Sequence, residues 1–289
     1  MQVKALACEL PTQRGLPLSR FSRDDLAREV VRSGIVASIS GTTVWRWLRQ
    51  DAIKPWYHRS WIWPRDPDFA ARAGRVLDLY QGTWGGQALG PGDFVISADE
   101  KTSIQARIRI ARGSAPSPGH TRRVEFEYDR GGALAYLAAW DVRRAKVFGL
   151  CRRTTGIDSF HELVDLVMHQ EPYRSADRVF WVTDNGSSHR GQRSADRFST
   201  WYPNAIQVHT PIHASWLNQI EIYFSVVQRK VLTPNEFSDL AEVETRLLAF
   251  QPYYESIATP FEWRFTHEDL RRLIAHWREG DQHACAQAA

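Results

Sequence analysis

Three acidic residues stand where a carboxylate can do chemistry: Asp99 in FVISADEKTSIQ, Asp184 in VFWVTDNGSSHRG and Glu221 in HASWLNQIEIYFSVVQRK. The first two follow short apolar runs, Phe94-Val95-Ile96 and Val179-Phe180-Trp181-Val182. These runs are continuous, rich in β-formers and too short for helices, so they are predicted as buried strands. In open α/β sheets ligands bind in the crevice beyond the strand ends, which is where both carboxylates would lie. Glu221 belongs to another kind of element. Leu217, Ile220, Phe224, Val227 and Val231 recur at spacings of three and four, the apolar stripe of an amphipathic helix with Ser215 as its expected N-cap. At roughly 100° per residue Glu221 falls about 70° from the centre of that stripe, near its edge and away from the solvated face. Either an Arg or Lys partner or a shared divalent cation accounts for a carboxylate there, since hard cations such as Mg²⁺ take oxygen ligands.

Three convergent carboxylates suit phosphodiester cleavage. Two metal ions roughly 3.5 to 4 Å apart activate the attacking oxygen and stabilise the leaving one, and a small carboxylate cluster holds them. Asn218 and His189 are placed either to orient substrate or water, or to serve packing and turn hydrogen bonding. Rival sites are weaker. Glu100 would point to the opposite strand face from Asp99, and Asp141 is explained as a turn residue. His209 and His213 have the spacing of a zinc pair, but Pro211 lies between them and no CxxC accompanies them. There is no Walker-type glycine motif, which argues against an ATPase or a nucleotide cofactor.

The elements that must position these acids can be sketched from periodicity. Further strands are expected over Ser103 to Ile110, Ala133 to Trp140, Lys146 to Leu150 and Ile206 to His209, and helices over Asp68 to Tyr80 and Ile157 to His169. The region from Leu240 to Glu279 is expected to be helical with a break near Thr259-Pro260. Arg112 to Arg123 is a polar loop that either lies beside nucleic acid or is simply solvated, and Asn185 to Ser188 form a turn into the next helix.

Ahead of this core the chain changes character. Residues 1–70 hold 11 basic and 7 acidic side chains, whereas the remainder is balanced. Ser22-Arg23-Asp24-Asp25 opens a predicted helix with Leu26, Val30 and Val31 as its apolar face, and Gly34 stops it. Ser40 caps a second, Gly41 to Gln50, with Val44, Trp47 and Leu48 inward and Thr42, Thr43, Trp45, Arg46 and Arg49 outward. Two short helices with Thr and Arg on the exposed face of the second describe a helix-turn-helix entering the major groove, with Thr42, Thr43, Arg46 and Arg49 as DNA contacts. Other small helical hairpins share that pattern. Between Asp51 and Asp68, Pro55, Pro64 and Pro67 alternate with Trp56, Tyr57, Trp61 and Trp63, an extended connector whose rings dock on protein or stack on bases.

ISADEKTSIQAR, VTDNGSSHRG and HASWLNQIEIYFSVVQRKVLTP together resemble the transposases of the insertion sequence 630 group, prokaryotic relatives of mariner. The resemblance runs from about residue 20 to 275, including IKPWYHRSWIWPRDPDF and PFEWRFTHEDL. The spacing agrees, with 84 residues between the first two acids and 36 between the second and third. It implies an α/β fold, a ribonuclease-H-like mixed sheet flanked by helices, behind a small all-α helix-turn-helix domain. The expected division is residues 1–50 for that domain, 51–92 for the connector and a helix, and 93–289 for the catalytic domain. It further implies that Asp99, Asp184 and Glu221 are catalytic and hold two Mg(II) or Mn(II) ions, with Asp99 bridging both. Water would cut the transposon end, and the freed 3′ hydroxyl would join it to target DNA, expected at TA. The implied partners are double-stranded DNA, as transposon ends and target, and a second copy forming a homodimer on it. The cytoplasm of a prokaryote, in association with the nucleoid, is the implied location. Family members commonly carry a further helix-turn-helix ahead of this one, so a sequence beginning at this Met1 is expected either to be N-terminally truncated or to have a misassigned start codon, with catalysis kept and recognition of the ends weakened. Two alternatives remain, a catalytically silent DNA-binding regulator and a general ribonuclease-H-like nuclease.

Composition is compatible with all of this. At 289 residues the chain holds one large core and a small appended domain. No run of eighteen apolar residues and no signal peptide is present, so no membrane role is expected. Cys8, Cys151 and Cys285 are odd in number and far apart, which argues against a disulfide framework. Of 37 basic residues 32 are Arg, the side chain suited to forked phosphate contacts, although a GC-rich coding sequence gives the same bias.

Overall fold

The computed structural model describes residues 1–58, 65–111, 113–186 and 192–288, and the chain divides into two units, Met1–Ile62 and Trp63–Ala289. Arg112 of the polar loop, Trp61, Trp63 and Pro64 of the connector, and Ser187 and Ser188 of the expected turn lie outside the described residues.

The first unit contains α1 (Gln2–Ala7), a 3-10 turn (Pro11–Arg14), α2 (Arg23–Arg32) and α3 (Gly41–Gln50). Ser22 caps α2 by accepting from the Asp25 N–H at 3.1 Å, while Asp25 accepts from the Ser22 N–H at 3.0 Å, so two orphan donors of the first turn are satisfied reciprocally. Ser40 caps α3 through the Thr43 N–H at 3.2 Å. Leu26 and Val30 meet Val44 and Leu48 in a small core that also takes Val3, Leu6 and Phe21. Two expected inward residues point out instead, Val31 (39% exposed) and Trp47 (38%). Val44 and Leu48, four residues apart, already define the buried line of α3. α1, which the sequence reading missed, supplies Val3, Leu6 and Ala7 to this core, and among the described residues of the first unit no element covers the flank on which Trp47 stands.

The second unit begins with α4 (Phe69–Gln81) and a tight hairpin of β1 (Thr83–Trp84) and β2 (Gln87–Ala88). Gly85 and Gly86, both at positive φ, make its two-residue turn. There follow β3 (Asp93–Ile108), β4 (Asp129–Asp141), β5 (Lys146–Arg152), α5 (Ile157–Met168), β6 (Arg178–Thr183), α6 (Gln192–Trp201), β7 (Ala205–His209), α7 (Ile220–Lys230), α8 (Leu240–Glu255) and α9 (His267–Ala288). The sheet order is β5-β4-β3-β6-β7. β3, β4 and β5 are antiparallel, whereas β6 and β7 join β3 in parallel. Helices cover both faces. Val95, Tyr136, Phe180 and Val182 pack with α4, α7 and α8 on one side, and Ile96, Ala139 and Trp181 pack with α5 and Phe198 of α6 on the other. Each fully buried Val, Leu or Phe contributes about 1.5–3 kcal/mol.

The two strands expected around Asp99 are one. The polar run Asp99 to Ser103 looks like a break, but pairing with β4 continues through Lys101 and resumes at Ile104. The irregularity is absorbed by Ser103 at φ 57°, a bulge that re-aims the strand without ending it.

Candidate active site

Register places the first two acids together. β6 lies parallel to β3 with Trp181 opposite Ile96 and Val182 opposite Ser97. β6 ends at Thr183, and the same register carried two residues further sets Asp184 beside Asp99. Side chains alternate across a strand, so Asp99 shares a face with Val95 and Ser97, and Asp184 with Phe180 and Val182. That face packs against α7. Asp99 is buried (8% exposed), with Oδ1 accepting from the Glu100 N–H at 2.8 Å. Asp184 Oδ1 accepts from the Gly186 N–H at 2.6 Å, a local turn that fixes the carboxylate just past the strand end. Asn185 Nδ2 donates to the Thr210 carbonyl at 2.7 Å, tying the loop after β6 to the one after β7.

Glu221 comes from α7, whose start differs from the expectation. Ser215 does not cap it but opens a 3-10 turn, Ser215–Leu217. Asn218, at ψ 113°, interrupts the chain before α7 begins at Ile220. The interruption has a cause: the Asn218 side chain is spent on the sheet. Fully buried, it donates from Nδ2 to the Ala98 carbonyl at 3.0 Å and accepts at Oδ1 from the Ser97 hydroxyl. Ser97 Oγ in turn accepts from the Ile220 N–H at 2.9 Å. Tyr80 of α4 completes the anchor, donating to the Leu217 carbonyl at 2.8 Å and accepting from the Gln219 N–H at 3.3 Å. The first turn of α7, with Glu221, is thus bolted to the strand that carries Asp99. Of the two roles open to Asn218, hydrogen-bonded packing is the one these contacts describe. His189, its companion in that expectation, lies outside the described residues.

Electrostatics report the same proximity. Burial pushes the Asp99 carboxyl up to about 8, with Asp184 adding to the shift and Glu221 contributing less. Glu221 is also raised, first by burial and then by Asp184, with Lys101 acting the other way. Lys101 is therefore a cationic neighbour of Glu221, whereas no basic side chain figures among the causes that shift Asp99. Oxygen-only donors that destabilise one another as anions fit a hard divalent cation such as Mg²⁺ or Mn²⁺. Among the described residues no group of three or more His, Cys, Asp or Glu side chains is placed to hold a metal ion.

The other candidates sort as follows. Thr42, Arg46 and Arg49 are exposed on α3. Thr43 is half-buried, its hydroxyl 3.0 Å from Ser40 Oγ, and the Arg49 guanidinium lies 5.3 Å from the Trp45 ring centre. Asp141 is the turn residue expected, accepting from the Arg143 and Arg144 N–H groups at 3.0 and 2.9 Å. Sequence reasoning missed Ser97 and Lys101. The signal for Ser97 was a lone hydroxyl inside FVISAD, two residues before the acid and on its face.

The family model for DDE superfamily endonucleases matches residues 95–244, a span that includes all three acids. A search of curated proteins finds no match. Among solved structures, the fold matches that of "a pre-cleavage Mos1 transpososome" with TM-score 0.54 and 15% identity, over 96% of this chain and 76% of that one. The "mariner Mos1 paired end complex with Mg" gives 0.56 and 14%, over 96% and 77%, and the "Mos1 Strand Transfer Complex" 0.54 and 15%, over 96% and 75%. With a family model matched over half its length, the chain belongs to the DDE superfamily endonucleases, and its fold is similar to that of the Mos1 structures.

Proposed function

We propose that this protein cuts the ends of an insertion sequence and joins them to target DNA, with Asp99, Asp184 and Glu221 as its catalytic carboxylates. The observation that carries the proposal is the buried, anion-destabilised Asp99, set by strand register beside Asp184 and within the field of Glu221. Asp99, Asp184 and Glu221 would hold two Mg(II) or Mn(II) ions, which supply activation of the attacking oxygen and stabilisation of the leaving one. Burial and the neighbouring Asp184 favour the protonated form of Asp99 in the cation-free protein, and a bound cation would displace that proton. The Glu100 and Gly186 N–H groups fix one oxygen of Asp99 and one of Asp184. The Asn218–Ser97 contact fixes the approach of Glu221, and Lys101 tempers its charge.

Recognition of the ends is assigned to residues 1–50 as a helix-turn-helix, through Thr42, Thr43, Arg46 and Arg49 of α3. Residues 51–92 serve as connector and leading helix, and residues 93–289 as the catalytic domain. The insertion target is assigned as TA, and the working form as a homodimer on paired ends, because joining two ends to one target needs two active sites. The neighbouring structures support the DNA substrate, since they are transpososome, paired-end and strand-transfer complexes of Mos1. No helix among the described residues is long and apolar enough to cross a membrane, which is compatible with action at a prokaryotic nucleoid in the cytoplasm.

The test is Mg²⁺- or Mn²⁺-dependent cleavage of labelled DNA carrying the flanking element's ends, with Asp99→Ala, Asp184→Ala and Glu221→Ala alongside wild type. Cutting at the ends that every substitution abolishes is the expected result. Binding without cutting would replace the proposal with a regulator, and cutting indifferent to end sequence with a general nuclease.

A further inference from the structure

Beside the acids lies a cavity of opposite character. It has a volume of about 300 Å³ and is lined by Arg72, Arg75, Trp84, Asn185, Gln207 and His209, among others, with no carboxylate among its described lining residues. Its floor is β7, the edge strand of the sheet, and its rim includes Asn185, the residue after Asp184. Arg72 and Arg75 stand one turn apart on α4, so they present their guanidinium groups on the same side. Arg72 leans on the buried Asp66 at 3.5 Å. Asp66 also accepts from the Ile212 N–H at 3.0 Å, which holds the loop after β7 to the approach to α4. Arg75 is exposed and has no hydrogen bond or ion pair among the described residues.

We propose that this cavity between α4 and β7 seats a backbone phosphate of the DNA strand next to the one being cut, with Arg75 as its principal contact and Arg72 as its preset neighbour. The inference deepens the DNA-cutting proposal and rests on it. A guanidinium fork matches phosphate oxygens in pairs, and of the two forks in the cavity Arg72 is partly offset by Asp66 and Asp68 whereas Arg75 is not. A cluster of carboxylates repels DNA until cations are loaded, so a strand entering the site needs a cationic hold close by. In-line displacement also needs the scissile phosphate fixed in position. A neighbouring phosphate provides that hold without reading any base.

The experiment measures binding of full-length protein to a labelled end duplex across a salt series. Arg75→Gln is compared with Arg174→Gln, a solvent-exposed arginine in the turn that leads into β6, at the other end of the strand from Asp184. For Arg75→Gln the expected result is a Kd raised about three- to tenfold and a slope of log K against log salt reduced by about 1, with Arg75→Lys restoring both. In the cleavage assay its KM for DNA rises more than kcat falls. Arg75→Gln indistinguishable from Arg174→Gln, or weakened with an unchanged salt slope, would overturn the phosphate seat. If that happens while wild type cuts in a triad-dependent way, the DNA-cutting proposal stands alone; if wild type neither binds nor cuts DNA, both fall.

Discussion

Two buried carboxylates, one in each unit, meet opposite fates. Glu29 in α2 is 3% exposed and gripped by Arg14 at 2.7 Å and Arg32 at 2.7 Å. Its hydrogen bond with Arg32 leads the causes that bring its carboxyl down to about 2, overcoming the cost of burial. Asp99 is almost as hidden, but its charged neighbours are Asp184, Glu100 and Glu221, and it rises to about 8. Burial raises both; what differs is the sign of the charge alongside. The first carboxylate is complete as folded and serves the fold. The second is left incomplete, the condition of a group whose partner arrives from outside.

The largest break in that contrast is Asp99→Asn. Cleavage should fall by on the order of 10³-fold or more, while the cation-free protein gains stability. A carboxyl raised on folding contributes its stability in full below about 4 and loses it as pH rises through about 8. In EDTA, wild type should therefore weaken between pH 5 and 8.5 and Asp99→Asn should not. The gap at pH 8.5 is expected to be on the order of 2–4 kcal/mol in urea unfolding; equal midpoints at that pH would remove Asp99 from the comparison. Glu29→Ala tests the other side. It leaves Arg32 without its carboxylate and Arg14 with that of Glu9 alone, and should cost about 2–3 kcal/mol at pH 7, less than a fully buried pair because Arg32 is largely in solvent. Glu29 is lowered on folding, so its contribution is present above about 4.5 and lost as pH falls through about 2. The variant's deficit should shrink over that acid range, and a deficit independent of pH would point to packing alone. Smaller still, Asn218→Ala leaves Ser97 and the Ala98 carbonyl short of partners, at about 1–3 kcal/mol. It should also weaken Mn²⁺ binding about tenfold in a titration, whereas stability lost with unchanged Mn²⁺ affinity would detach the clamp from the site.

Much of this was legible beforehand because it rests on local pattern. The apolar runs before Asp99 and Asp184, the helical stripe under Glu221 and the Ser22 and Ser40 caps are properties of a few adjacent residues, and each lies where its pattern placed it. What escaped depends on partners distant in sequence. Ser215 has the chemistry of a cap, but Asn218 is drawn to Ser97 and Ala98, some 120 residues away, and the helix starts later. Trp47 carries an inward-facing residue type, but among the described residues of its own unit no element covers it. The Asp99 strand looked broken because five polar residues hide a β ladder that only β4 reveals. Arg72 and Arg75 read as the solvated side of a helix, since no signal in FAARAGRVLDLYQ announces a cavity across the sheet edge.

The register of β3 against β6 has a consequence for how such a protein can change over generations. The two acids are neighbours because each stands two residues past a paired position, Ser97 opposite Val182. Everything between them, including β4, β5 and α5, may gain or lose residues at its loops without disturbing that relation, so length in the intervening chain is nearly free to drift. Inside either strand the tolerance vanishes. One inserted or deleted residue ahead of Asp184 in β6 would turn its side chain to the opposite face, leaving the composition and most of the core intact while silencing the site.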